Sequence, residues 1–542
     1  LKRARGFLDF NDLIVKTVHL LSRPDAGSWV QYKLDQGIDH ILIDEAQDTS
    51  PRQWEVVRRL GEEFFAGYGA RDGKHRTIFA VGDEKQSIYS FQGADPAAFG
   101  ETEHLFAGKV RAAKQRFERA RLTWSFRSTG DVLDAVDRVF ARPDVRKGLT
   151  RDDDPVEHKA IRTAEPGYVE VWPAIGAATV AEPDDWTQAI DHASAPAVQV
   201  AELVAGTIQH WLKSGERLEA SGKRITPGDV LVLVRKRDRF VHALTRSLKL
   251  RRIEVAGADR LSLPDHIAVK DMMALGRVML QPEDDLSLAA LLRSPVFGLS
   301  EDELFRLAWN RGRGVSLYAA LRRVAHDNPR MAEIVATLDH WATQAAFRPV
   351  FEFFAGVLAG AGGRTGVRKL MIARLGHDAG DILDEFLNFC LAQERTGLPG
   401  LEAFLATLEN AGPEIKREMD QTRDEVRIMT VHAAKGLEAP IVFLVDAGSA
   451  PFSDQHLPRL IPFDPRKGGW RGPGYLWRSG SDVANEFSRD VCIMLREKAE
   501  EEYNRLLYVG MTRAEDRLIV CGYYGKRAPN PKTWHAVVSD AL

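Results

Sequence analysis

The sequence predicts an α/β protein interrupted by a long helical stretch, on three observations. Aliphatic runs of strand length recur at 40–43, 77–81, 230–234 and 441–445, and the first three end in acidic, glycine or basic residues. Segments with helical apolar spacing, such as the one bearing Trp54, Val57 and Leu60, separate them. From about 265 to 420 leucine-rich helical periodicity takes over, with Ile382, Phe386, Phe389 and Cys390 on one face and Leu401, Phe404, Leu405 and Leu408 on another.

A chain of 542 residues is long enough for several domains with cores of their own. Its net charge of −3 excludes a uniformly basic nucleic-acid binder but leaves room for local patches. The three cysteines, Cys390, Cys492 and Cys521, are too far apart in sequence for a local zinc or redox pair, which argues against a disulfide framework or a metal cluster. No apolar run approaches the roughly 18 residues that cross a bilayer, and no charged-then-apolar leader is present. The expectation is a cytoplasmic chain with no membrane partner, cut from something longer because it begins at Leu1.

Taken in order, Phe7 to Ile14 has the apolar spacing of a short helix. His40-Ile41-Leu42-Ile43 then reads as a buried parallel strand that delivers Asp44 and Glu45 to its C-terminal edge, where open α/β sheets place ligands. This is a Walker B arrangement: Asp44 would hold Mg²⁺ through its water shell, and Glu45 would orient and deprotonate the attacking water. The alternative is that both acids cap the helix that follows, since Asp48-Thr49-Ser50-Pro51 is a helix-start signal. A second strand, Thr77–Val81, runs into Gly82-Asp83-Glu84-Lys85-Gln86-Ser87-Ile88-Tyr89-Ser90-Phe91, completing a βαβ unit with a polar edge.

Residues 141–165 read as a charged surface connection, and Tyr168–Trp172 as a strand. An Ala- and Pro-rich loop, a helix at about 197–213 and the strand Val230–Val234 follow; the strand ends in Arg235-Lys236-Arg237. That basic cluster suits either DNA phosphates or a solvated face. After the helical stretch, Glu425 to Glu438 returns to strand then turn, and Ile441–Val445 reads as another buried strand.

The motifs resemble those of one family. Asp44-Glu45-Ala46-Gln47-Asp48, followed by Gly82-Asp83, Gln86-Ser87-Ile88-Tyr89, Phe91 and Gly93-Ala94-Asp95, resembles motifs II and III of the UvrD-like superfamily 1 DNA helicases. Leu122-Thr123-Trp124-Ser125-Phe126-Arg127-Ser128 resembles motif IV, with Phe126 where a tyrosine is usual. The segment from Glu425 to Glu438, with Thr430-Val431-His432-Ala433-Ala434-Lys435-Gly436-Leu437-Glu438 at its end, resembles motif V, and the segment from Glu500 to Ala514 resembles motif VI. Glu414–Gln421 and the segment Glu500–Tyr524 are similar to the AddA branch, the RecB-like subunits of bacterial double-strand-break repair helicase–nucleases.

The resemblance implies two RecA-like P-loop NTPase motor domains, the first incomplete, with a large all-helical insertion in the second. Residues 1–128 would end motor domain 1A, 129–265 and 421–542 would form 2A, and 266–420 would be the helical 2B insertion. It implies ATP and Mg²⁺ as cofactors, with Gln86, Arg127 and Arg513 at the γ-phosphate, Phe126 on the adenine, Glu438 at the ribose and Arg513 as arginine finger. Tyr89, Phe91, Thr430 and His432 would meet single-stranded DNA, with aromatic stacking that suits any base. Partners would be single-stranded and duplex-end DNA and an AddB-like subunit. Arg505 reads either as a helix-surface charge or as a support for the site.

The sequence departs from a complete motor in one respect. It contains no Gly-x-x-x-x-Gly-Lys-Ser/Thr loop; Gly73-Lys74-His75 and Gly108-Lys109-Val110 lack the earlier glycine and the hydroxyl. The expectation is a fragment that lacks the N-terminal phosphate-binding region and the C-terminal nuclease domain and hydrolyses ATP poorly by itself. Alternatives are a non-catalytic DNA-end-binding module and a UvrD/PcrA-type repair motor without a nuclease.

Overall fold

The computed structural model describes residues 6–23, 33, 38–65, 76–150, 154–177, 195–256, 260–309, 311–312, 314–360, 366–376, 378–395, 400–412, 414–416, 424–453, 457–463, 474–478, 485–525 and 527–542. Expectations for Gly73-Lys74-His75, for 151–153, for most of the Ala- and Pro-rich loop and for 417–421 fall outside these residues. The chain forms two compact units, one of Leu1–Ala258 with Gln421–Leu542, the other of Asp259–Asp420.

The first unit opens with α1 (Phe10–Leu21), capped by Asp9 in a reciprocal box with Asp12. β1 (His40–Ile43) and β2 (Thr77–Ala80) pair in parallel, with Ile41 opposite Ile78, around α2 (Pro51–Leu60). Ser50 caps α2 together with Gln53, and Pro51 fills its first position. Neither Asp44 nor Glu45 caps α2; Glu45 stands at the start of the 3₁₀ segment Ala46–Asp48 but its side chain makes no capping bond there. Trp54 is buried with Ala46 and Ala98, and Ile43 packs on that cluster.

One expectation fails here. β1 is not a buried strand: Leu42 is 74% exposed and its neighbour Phe79 58%. Alternation sends Ile43 towards α2 and Leu42 to the opposite face of a two-stranded sheet, which no layer covers among the described residues.

β3 (Trp124–Thr129) and β4 (Lys159–Arg162) pair in parallel, and α4 (Gly130–Phe140) and α5 (Pro143–Arg146) follow β3. The stretch 141–165 is therefore more than a surface connection. Val145, Leu149 and Val156 are buried and tie it to the core.

The centre of the unit is a parallel sheet of β5 (Tyr168–Val171), β15 (Ala514–Tyr524), β12 (Ala439–Asp446), β7 (Val230–Val234), β11 (Val426–Thr430) and β8 (Val255–Ala256), in that order. β6 (Ile175–Gly176) pairs with the end of β15. Every residue of β7 is buried because both faces are covered. Val230, Val232 and Val234 pack with α6 (Pro196–Ser214) and α7 (Arg239–Leu250). Leu231 and Leu233 pack with α4, α17 (Glu486–Met511) and α18 (Trp534–Ala541).

In the second unit β9 (Arg260–Ser262) and β10 (Glu414–Lys416) pair antiparallel and bring its two ends together. Helices from α8 (Ile267–Leu280) to α16 (Leu401–Ala411) lie between them. Ile382, Phe386, Cys390, Phe404 and Leu408 join one core, in which the rings of Phe354 and Phe386 meet edge to face at 4.9 Å. Among the described residues no helix is long and apolar enough to cross a membrane.

Candidate functional site

The site begins where β1 stops. Glu45 adopts a left-handed backbone, φ +49°, which turns the chain sharply into a short 3₁₀ segment, Ala46–Asp48. Asp44 is exposed at this turn, and its Oδ1 accepts the Glu45 N–H at 2.9 Å. Buried Gln47 latches the two strand ends: its Oε1 accepts the Asp83 N–H at 2.9 Å, while its Nε2 donates to the Glu45 carboxylate. A side chain at position 82 would collide with Gln47, so Gly82 permits this approach.

Beyond β2, Asp83 Oδ2 accepts from Gln86 Nε2 at 3.0 Å, which orients the amide so that Oε1 accepts from Arg513 Nη2 at 3.3 Å. Arg513 sits where α17 gives way to β15 and is almost fully buried. Its Nε donates to the Val509 carbonyl at 3.0 Å and its Nη1 to the Leu437 carbonyl at 3.3 Å. Burial pushes its pKa down to about 10, with repulsion from Arg127 acting in the same direction and Tyr508, Glu438 and Glu45 opposing. It remains a cation at neutral pH. Arg127 at the end of β3 forms an ion pair with Glu438, and Phe126 beside it is 75% exposed.

Gln86, Arg127, Glu438 and Arg513 thus converge, with Glu45 in the same electrostatic neighbourhood. Asp44 and Phe126 make no side-chain contact with that group among the described residues. Among the described residues no group of three or more His, Cys, Asp or Glu is placed to hold a metal ion. The donor set nonetheless fits a hydrated divalent cation, since Asp44 is exposed and Asp48 keeps a buried Oδ1 with no partner.

Tyr89, Phe91 and His432 form a second cluster. The Tyr89 hydroxyl donates to the His432 carbonyl at 3.1 Å, and the Phe91 and His432 rings meet edge-on at 5.5 Å. Phe91 is 68% exposed, whereas burial lowers the His432 pKa and keeps its ring neutral. Thr430 ends β11, and its carbonyl accepts the Ala433 N–H at 2.9 Å to shape the turn that carries His432.

Two residues without a firm assignment in the sequence support these clusters, and one of them joins the two. The Lys435 ammonium reaches the Asp48 carboxylate, donates to the Gln86 carbonyl at 2.8 Å and lies 3.4 Å from Glu45 Oε2. It also sits 5.3 Å from the centre of the Tyr89 ring, touching both clusters at once. Burial raises the Asp48 pKa although Lys435 pulls it down. Arg505 is no surface charge: it is buried and donates to the Ser87 carbonyl at 2.6 Å and the Gly148 carbonyl at 2.8 Å. The signal for Lys435 was a lone cation in the turn between two buried strands; the signal for Arg505 was a cation at the head of the apolar run Leu506-Leu507-Tyr508-Val509 of α17, a stretch buried all round.

Residues 1–107 match the UvrD/REP helicase N-terminal domain, and residues 382–524 match the UvrD-like helicase C-terminal domain. Both ends of the chain are thus similar to UvrD-like helicases. Asp44 to Phe91 lie in the first match, and Thr430 to Arg513 in the second. Among similar proteins are ATP-dependent helicase/nuclease subunits A. That of Desulforudis audaxviator is 29% identical, over 99% of this chain and 44% of the relative. Those of Exiguobacterium sibiricum and Geobacillus kaustophilus are each 27% identical, over 96% and 99% of this chain and 43% and 44% of the relative. The chain therefore spans less than half the length of these relatives.

Proposed function

We propose that this chain is part of an ATP-driven 3′-to-5′ DNA translocase and helicase of the AddA type, acting in double-strand-break repair and recombination. The observation that carries the reading is the Gln86–Arg513 hydrogen bond of 3.3 Å, which joins an amide after β2 to a buried guanidinium 427 positions later. On this reading β1, β2 and their helices belong to one RecA-like lobe. The large parallel sheet belongs to a second, into which 266–420 is inserted.

ATP with Mg²⁺ supplies the transferable phosphoryl group and the charge neutralisation its transfer requires. Asp44 would hold the cation through its water shell, and Glu45 would accept the proton of the attacking water. Gln86, fixed by Asp83, reads the terminal phosphate, while Arg127 and Arg513 offset the charge that develops there. Phe126 presents a flat face to the base, and Glu438 a carboxylate to the ribose. Bases stack on Tyr89 and Phe91 beside His432 and Thr430, and Lys435 connects that platform to Glu45. An AddB-like subunit is the expected partner.

The test compares two measurements: single-stranded DNA binding by the 542-residue chain, and DNA-stimulated ATP hydrolysis by the polypeptide of the complete reading frame. Glu45→Gln is expected to keep DNA and nucleotide binding and to slow hydrolysis by roughly 10²–10⁴-fold. DNA binding with no ATP hydrolysis by the complete polypeptide would favour a non-catalytic DNA-end-binding module.

A further inference from the structure

We propose that Arg162 is a positioning residue that holds Arg127 and Arg513 at a fixed spacing; this rests on reading their shared neighbourhood as a phosphate site. Arg162 ends β4, outside both UvrD-like matches. Its side chain is largely buried and each guanidinium nitrogen has a partner. Nη1 donates to the Arg127 carbonyl at 2.6 Å, Nη2 to Asp516 Oδ1 at 2.6 Å and Nε to Glu165 Oε2 at 2.6 Å.

The partners give this bond set its meaning. Arg127 is on β3, and Asp516, itself buried, lies three residues past Arg513 on β15. One planar fork therefore ties the backbone beneath the first arginine to the strand that carries the second. A neighbouring strut runs the same way, from the Ser128 hydroxyl to the Ala514 carbonyl at 2.6 Å. At the side-chain end, Arg127 pairs with Glu438 and Arg513 donates to the adjoining Leu437 carbonyl. The links close into a ring through Arg127, Arg162, Asp516, Arg513, Leu437 and Glu438.

Such a ring answers an electrostatic problem. Two guanidiniums aimed at one anion repel each other while the anion is absent, and Arg127 does oppose the charge on Arg513. Left to flexible stems, they would drift apart and have to be gathered again in each cycle. A rigid brace meets that cost in advance, which is how preorganised charge speeds a reaction. A lysine at 162 cannot replace the fork, because a compact ammonium lacks the planar set of donors that spans a carbonyl and two carboxylates.

In the complete polypeptide, Arg162→Ala is expected to lower kcat for DNA-stimulated ATP hydrolysis roughly 10–100-fold while KM for ATP and DNA affinity stay within about threefold. Arg162→Lys should recover only part of the loss. Asp516→Ala should behave like Arg162→Ala, and the double variant should be no worse than either single one. Unchanged kcat with only a lower Tm, or simple addition of the two losses, would overturn the proposal. Hydrogen exchange reads the brace without turnover, and so separates its failure from failure of the helicase reading. Arg162→Ala should speed exchange in β3 and at the start of β15 together by roughly tenfold or more, and unaltered exchange in either strand would refute the brace even if the wild type hydrolysed no ATP.

Discussion

Asp229, Asp446, Arg505, Arg513, Asp516 and Arg517 are buried in the α/β unit, whereas Asp271 is the buried charge among the described residues of the helical unit. The first six are all partnered: Asp229 accepts from Thr226 and Lys223, Asp446 from the backbone of Gly448 and His535, and Arg517 pairs with Glu216 and Glu219. Asp271 keeps an Oδ2 with no partner. The contrast separates two uses of a core. In the α/β unit each buried charge is held by partners of its own, because an unpaired charge there would be costly, and Arg505, Arg513 and Asp516 among them lie beside the candidate site. In the helical unit apolar packing does nearly all the work, with phenylalanine rings at its centre.

The largest effect that could break this comparison is on chemistry. Arg513→Ala in the complete polypeptide should cut DNA-stimulated ATP hydrolysis by roughly 10³-fold or more, with nucleotide affinity changed only severalfold. Stopped-flow nucleotide binding and steady-state turnover check it, and normal turnover would remove Arg513 from the site. Next comes packing. Phe386→Ala, which empties the contact with Phe354 and Phe404, should destabilise the helical unit by about 3–5 kcal/mol. Hydrogen exchange along its helices should rise while exchange in β7 and β12 stays slow. Equal loosening of both units would mean that they do not fold as separate cores.

Much of this architecture was legible in the sequence wherever a local pattern had one physical solution. Val230–Val234 had to be covered on both faces, and it is. The helical stretch showed in its periodicity, and the motif residues stood out because polar groups interrupt aliphatic runs. What stayed hidden depended on contacts between distant parts of the chain. Lys435 meets Asp48 across 387 positions and Arg162 meets Asp516 across 354, and no spacing rule reaches that far. The burial of β1 was misjudged for a related reason: an aliphatic run shows what a strand prefers, and the presence of a covering layer is decided elsewhere. The hairpin of β13 (Leu460–Phe463) and β14 (Gly474–Trp477) also went unread, since its strands are four residues each and lie among prolines and glycines.

A smaller effect sharpens the same contrast at the surface of the α/β unit. Phe91 is exposed and steadied by His432 and Tyr89, an arrangement suited to stacking on a base. Phe91→Ala should weaken binding of a fluorescent oligothymidylate by roughly 10–100-fold, equivalent to about 1–3 kcal/mol. The slope of log affinity against log salt should not change, because no phosphate contact is lost. A shallower slope would show that the substitution disturbs a basic surface instead.

The smallest effect concerns the exception, Asp271. Burial on α8 lifts its carboxyl from an ordinary 3.8 to about 7, with Arg374 only partly opposing. The folded helical unit then holds a proton that the unfolded chain releases near pH 4, so stability must fall as pH rises from about 4 to about 7 and level off above that. Asp271→Asn cannot ionise. It should flatten this dependence and gain about 1 kcal/mol at pH 8, a modest amount because the amide inherits the same lack of partners, with no gain at pH 4. Hydrogen exchange of α8 in the whole chain at the two pH values measures the difference, and a variant as pH-sensitive as the wild type would show that the carboxyl stays ionised with a partner, making the helical core more polar than its contacts indicate.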